Sequence, residues 1–154
     1  AKQMQLGHVA EADARWRIYA FAGKADSSDA GSAIHRLADW LETNPSSPVV
    51  RHTRSGEDID ALIDFRAVFQ QTFDQLAFEN MPSLLRPKTG KLGLTDYEKV
   101  FCVDHKGIGD IFDMRGIDRD HGCMVVVRPD QYVAHVLPLD GFDALSAFFA
   151  GFLR

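Results

Sequence analysis

Residues 122–153 read GCMVVVRPDQYVAHVLPLDGFDALSAFFAGFL, and the fold is decided there. Cys123 to Val127 is a continuous apolar run, the pattern of a strand covered on both faces. Arg128-Pro129-Asp130-Gln131 is a turn: Pro129 presets φ at the first central position and Asp130 suits the second. Tyr132 to Leu137 returns as a second strand, and Pro138 stops it. Asp140, with Asp143 three residues on, reads as the N-cap of a helix. Leu145, Phe148, Phe149, Phe152 and Leu153 then fall on one apolar helical face, large enough to cover a sheet.

Upstream, residues 1–14 show little periodicity and read as a lead-in, with Met4 and Leu6 available to pack on the domain formed by residues 15–154. Arg15 to Phe21 alternates Trp16, Ile18 and Ala20 against Arg17, Tyr19 and Phe21, which predicts a strand. Ser28 or Asp29 caps a helix running to about Asn44, with Ile34, Leu37, Ala38 and Leu41 on its buried face and Trp40 beside it. Pro45 and Pro48 close that helix and open a loop. Val49 to Arg54 is either a short strand or an extended linker. Leu62 to Gln70 alternates Ile63, Phe65, Ala67 and Phe69 against Asp64, Arg66, Val68 and Gln70. A strand is preferred there because the first strand needs a parallel partner. Gln71 to Asn80 reads as helical, and Pro82 to Gly93 as an exposed, inserted excursion. Tyr97 to Val103 has strand character, and Asp110 to Arg115 makes one or two helical turns. A βαβ unit followed by a ββα unit is the plan of an α/β, thioredoxin-like three-layer sandwich. Its central sheet is mixed: the crossover makes the first two strands parallel, and the Pro129 turn makes the last two antiparallel.

A thiol redox centre on that plan needs a Cys at the start of the first helix, where the helix terminus lowers its pKa. Ala22-Gly23-Lys24-Ala25-Asp26 offers none, and Asp118 to Gly122 lacks the Pro that usually precedes the third strand. Cys102 and Cys123 sit in apolar strand contexts and are expected to be buried structural thiols. The competing reading is an autonomous thiol or peroxiredoxin-like protein using Cys102 or Cys123. A small-ligand binding module is a third reading.

His8, His35, His52, His105, His121 and His135 are dispersed, with no HExxH. Asp104, His105, Asp110, Asp113, Asp118, Asp120 and His121 match no metal-loop spacing and read as a solvated acidic surface. Gly107-Ile108-Gly109 is followed by Phe112 where a dinucleotide fingerprint needs a third glycine, so it reads as a turn. Gly90-Lys91 lacks the preceding glycine of a phosphate loop, so Lys88 to Lys91 reads as a solvated loop, and no G-x-S-x-G elbow occurs. No catalytic, cofactor-binding or metal-ligating residue is assigned. Phe142, Phe148, Phe149 and Phe152 are expected to be mostly core, with a partner interface as the alternative.

The 154 residues suit one domain, and the 45% hydrophobic and 25% charged content is that of a soluble globular protein. A net charge of −5 argues against nucleic acid or an anionic membrane as partner. No apolar run approaches a membrane span, and Ala1 to Leu6 lacks a signal-peptide pattern. The missing initiator Met is expected of a fragment or a processed product. Two cysteines are too few for a disulfide scaffold, so a reducing cytoplasm is expected.

The same final stretch, with VVVRPDQYVAHVLPL and FFAGFL, resembles the C-terminal domain of flavin-dependent aromatic hydroxylases of the phenol 2-monooxygenase and 3-hydroxybenzoate 4-monooxygenase type. Gly7-His8 with RWRIYAFAG (Arg15 to Gly23), and Ile63 to Gln70 with Tyr97 to Cys102, extend the resemblance nearly end to end. The resemblance implies a thioredoxin-like fold that contributes to a homodimer. It places FAD, NADPH and the chemistry in preceding FAD and substrate domains, and implies no cofactor in this chain.

Overall fold

The computed structural model describes residues 4–105 and 109–153. Its main sheet contains β1 (Trp16–Phe21), β2 (Ile63–Phe69), β5 (Val100–Cys102), β6 (Cys123–Val127) and β7 (Val133–Leu137), in the order β5-β2-β1-β6-β7. β1 runs parallel to β2, β2 parallel to β5, and β6 antiparallel to both β1 and β7. A separate two-stranded ribbon joins β3 (Lys88–Thr89) to β4 (Leu94–Thr95). With helices on both faces of the sheet, this is the thioredoxin-like sandwich.

One face of the sheet carries the larger core. Ile18 and Ala20 of β1, Phe65, Ala67 and Phe69 of β2, and Met124 and Val126 of β6 pack there. They are covered by α1 (Ala33–Thr43), α2 (Pro48–His52) and α4 (Phe142–Ala150). The expected buried face of α1, Ile34, Leu37, Ala38 and Leu41, is fully buried. On the opposite face Tyr19, Phe21, Val68 and Val103 meet Phe112 of α3 (Ile111–Arg115). Leu6, the first residue of a 3-10 turn at Leu6–Val9, packs onto this second core.

Several boundaries differ from the sequence reading. α1 begins at Ala33, because Gly31 adopts φ +95° and ends a turn, leaving Ser32 to cap the helix through its hydroxyl. Val49 to Arg54 is neither strand nor linker over most of its length: α2 starts at Pro48, and the Ser47 hydroxyl accepts from the amides of Val49 and Val50. Gln71 to Asn80 forms two 3-10 turns, 73–75 and 78–80, instead of an α-helix. The excursion is not exposed throughout, since Leu84 and Leu85 are buried in the main core beside Met81. Tyr97 to Val103 contributes only Val100–Cys102 as strand. β6 is not covered on both faces: Met124 and Val126 are buried while Cys123, Val125 and Val127 are half-buried. α4 takes Gly141 as N-cap with no side-chain bond; Asp140 instead contributes its carbonyl to the Phe142 amide in a tight turn. The final apolar face is also split, with Leu145 and Phe149 buried, Phe148 half-buried and Phe152 exposed.

Two glycines let the chain pass itself at the end of β1. A Cβ on Gly122 (φ +66°) would lie 2.1 Å from the Phe21 carbonyl oxygen, and one on Gly23 would lie 2.5 Å from that of Asp120. The close approach is sealed by a 2.6 Å hydrogen bond from the Lys24 amide to the Arg119 carbonyl. Gly107 and Ile108 of the expected turn lie outside the described residues.

Candidate functional site

At the N-terminal ends of β1, β2 and β5, alternation in the strands turns charged residues inward. Lys99, just before β5, donates from Nζ to Asp60 at 2.6 Å and to Asp64 at 2.7 Å, and Asp96 lies at 3.4 Å. Asp64 also meets Arg66 at 2.8 Å and Arg17 at 3.5 Å. Arg15 bridges Asp13 at 2.7 Å and Asp60 at 3.1 Å. Arg17, Asp64 and Lys99 are almost completely buried. Burial alone would lift the Asp64 carboxyl and lower Lys99, but their mutual charges prevail, so Asp64 is held low and Lys99 is raised. Burial likewise pushes against the Asp13 anion, yet hydrogen bonds from Arg15 and the charges of Arg15 and Arg17 hold its pKa at about 2.

Four cations, Arg15, Arg17, Arg66 and Lys99, thus face four carboxylates, Asp13, Asp60, Asp64 and Asp96. The same network fastens the lead-in: Arg66 donates to the Val9 carbonyl at 3.0 Å and Arg17 to that of Glu11 at 2.9 Å. Its groups are matched to one another, which suits a structural clamp. The hollow beside it, lined by Arg15, Asp60, Lys91 and Asp96, opens at the opposite end of the sheet from where parallel α/β sheets bind ligands. Sequence reading missed this network; the signal was Arg17, Asp64 and Arg66 in otherwise apolar strands.

The C-terminal strand ends, where a redox thiol would sit, are filled by polar side chains. The Asp26 carboxylate accepts from the Ala33 amide at 2.6 Å and the Ser32 hydroxyl from the His35 amide at 3.2 Å, so two donors of the α1 terminus are already spent. A carboxylate there also repels a phosphate or a thiolate. The residues present therefore do not fit a flavin phosphate at this terminus. Gln70 donates to the carbonyls of Ala22 and Arg119, and Gln71 to those of Lys24 and Asp26.

The acidic group is likewise consumed locally. Arg119 bonds Asp110 at 2.8 Å and Asp113 at 2.9 Å, and Asp118 accepts from the His121 amide at 3.1 Å. Among the described residues no three His, Cys, Asp or Glu side chains are grouped to hold a metal ion.

Cys102 and Cys123 are half-buried, less than expected, because each lies where the sheet is incompletely covered. Burial raises both thiol pKa values, which disfavours the thiolate. They stand on β5 and β6 with β2 and β1 between, three inter-strand steps apart. That is roughly 14 Å at ~4.8 Å per step, too far for a disulfide.

One exposed apolar feature lies where α4 meets β7. Phe142 stacks on Trp40 at 4.9 Å and Phe149 is buried, whereas Phe152 stacks on Trp16 at 4.9 Å and faces solvent. Phe148 lies between them and β7, 5.4 Å from the His135 ring. β7 itself is an edge strand with no strand partner on its outer side among the described residues.

These features define a thioredoxin-like domain in which the Asp26 carboxylate sits at the N-terminus of α1. The chain belongs to the family described as the phenol hydroxylase C-terminal dimerisation domain, whose model matches residues 1–154. It is 54% identical over 155 residues to a 3-hydroxybenzoate 4-monooxygenase of Comamonas testosteroni, covering 100% of this chain and 24% of that protein. It is 32% identical to the FAD-dependent monooxygenase terD of Aspergillus terreus, over 100% of this chain and 25% of that protein. It is 27% identical to the phenol 2-monooxygenase fsqG of Aspergillus fumigatus, over 98% and 24% respectively. The chain thus spans about a quarter of the length of the curated relatives it matches. No helix among the described residues is long and apolar enough to cross a membrane.

Proposed function

We propose that this chain is the non-catalytic, self-associating part of a flavin-dependent aromatic monooxygenase acting on phenol or 3-hydroxybenzoate type substrates. In the longer enzyme, FAD and NADPH serve preceding domains, and one oxygen atom from O₂ enters the ring ortho to a hydroxyl. The cofactor carries that chemistry; this domain supports and pairs the parts that hold it. The observation that carries the reading is the 54% identity along the whole chain to a 3-hydroxybenzoate 4-monooxygenase. The spent α1 terminus supports assigning no catalytic, cofactor or metal residue to the chain. Residues 15–154 form the domain, and residues 1–14 lead into it from the preceding part. Two free cysteines support a reducing, cytoplasmic setting.

Purification tests this. The 154-residue chain is expected to be colourless. A longer polypeptide carrying it is expected to retain FAD and to consume NADPH and O₂ when given phenol or 3-hydroxybenzoate. Stoichiometric FAD on the 154-residue chain alone overturns the assignment.

A further inference from the structure

β7 ends the sheet, and its neighbour β6 pairs with it through a bulge. Met124, Val125 and Val126 oppose Leu137, Val136 and His135, but Val127 opposes Val133. Ala134 is the extra residue, so Val133 and Val136 come to share the face of Val127 and Val125 instead of alternating. Val133 is 62% exposed and Val136 55%. Tyr132, just before the strand, is 72% exposed. Across the sheet, His135, Phe148 and the exposed Phe152 border the same edge. The outer edge of β7, where the Val136 amide donates to the His135 ring at 3.1 Å and the other backbone groups have no strand partner among the described residues, is therefore flanked by apolar side chains on both faces.

Edge strands that stay solitary are usually guarded by Lys, Pro, brevity or a bulge, and of these β7 carries only the Ala134 bulge. Tyr132 to Leu137 contains no charged residue and no Pro, in a chain where 25% of residues are charged. β5, the other edge of the sheet, is three residues long and flanked by the buried Lys99 and by Asp104. The net charge of −5 opposes approach of a second copy, and residues 132–137 add no charge of their own to that repulsion.

We infer that the β7 edge, with Tyr132, Val133 and Val136, pairs with the same edge of a second copy of this chain. An antiparallel pairing of identical strands is self-complementary about a two-fold axis, so one unpaired edge satisfies its own copy. The main sheet then continues across the pair, and the valines of both copies meet beside the new ladder. This assignment rests on the self-association proposed above and names the surface that carries it.

Sedimentation of the 154-residue chain and of Val133→Glu/Val136→Glu tests it. Leu94→Glu, at an exposed position on the β3–β4 ribbon, is the control. The parent and Leu94→Glu are expected at the mass of two chains, and the double variant at the mass of one with an unchanged circular dichroism spectrum. Hydrogen exchange on the unmutated chain gives an independent reading if the double variant misfolds. Amides of residues 133–137 are expected to exchange at least tenfold more slowly at concentrations favouring the pair. A two-chain mass for the double variant, or no concentration dependence at residues 133–137 while the mass doubles, overturns the β7 assignment and leaves self-association standing. A single-chain mass for the parent at every concentration overturns both.

Discussion

Lys99 and Asp64 form an ion pair closed off from solvent, Nζ to Oδ1 2.7 Å, with Asp60 as a second acceptor at 2.6 Å. It joins the entrance of β5 to β2. Leaving a buried charge with no partner costs about 3–5 kcal/mol; without Lys99, Asp64 keeps Arg66 and Arg17 and Asp60 keeps Arg15, so the loss is smaller. Lys99→Met is expected to lower the urea unfolding free energy by about 2–3 kcal/mol. A loss under about 1 kcal/mol, the scale of exposed pairs, would mean the network is solvated.

Asp13 gives the network a pH signature. Its folded pKa, about 2, lies below the unfolded carboxylate value of roughly 3.9. The folded state therefore binds fewer protons, and the stabilisation is present above about pH 4 and lost as pH falls toward 2. Asp64 is shifted in the same direction and adds to the acid sensitivity. Asp13→Asn is expected to be less stable at neutral pH and to lose less stability between about pH 5 and 2. Urea midpoints across that range check this; parallel curves for both proteins would contradict it.

Gly122 and Gly116 separate strain from collision. Both have positive φ, +66° and +62°, but a Cβ on Gly116 meets open space while one on Gly122 runs into the Phe21 carbonyl. Gly116→Ala is expected to cost only the left-handed penalty, roughly 1–2 kcal/mol. Gly122→Ala is expected to cost more than that, because backbone must move. Thermal denaturation of the two variants side by side decides it, and equal losses would disprove the close approach.

The phenylalanines of α4 divide by burial. Phe149 is fully buried and Phe152 is 45% exposed. Phe149→Ala is expected to cost about 3–5 kcal/mol, as in other cores. Phe152→Ala, which loses the stack on Trp16 but little buried area, is expected to lose less than half as much. Equal effects in chemical denaturation would mean that the end of α4 is core throughout.

Much of the fold was legible in the sequence because the relevant periods are local. Alternation in Trp16–Phe21 and Ile63–Phe69 gave two strands with the correct faces, and the 3.6-residue period gave the buried side of α1. The Pro129 turn gave the β6–β7 hairpin. Short elements were harder. α2 depends on a single Ser-Pro start, and the buried Leu84-Leu85 pair lies inside a stretch whose Pro, Gly and Lys content looks exposed.

The candidate surface and the ion network were decided only in three dimensions. The Ala134 bulge, which sets Val133 beside Val136, is a property of register against β6, and a strand read alone would alternate them. The clamp takes its charges from residues 13–17, 60–66 and 96–99, segments that meet only because β1, β2 and β5 lie side by side. Periodicity records which face a residue takes within its own element. Which distant residue stands opposite is set by strand pairing, and both sites are built from such pairings.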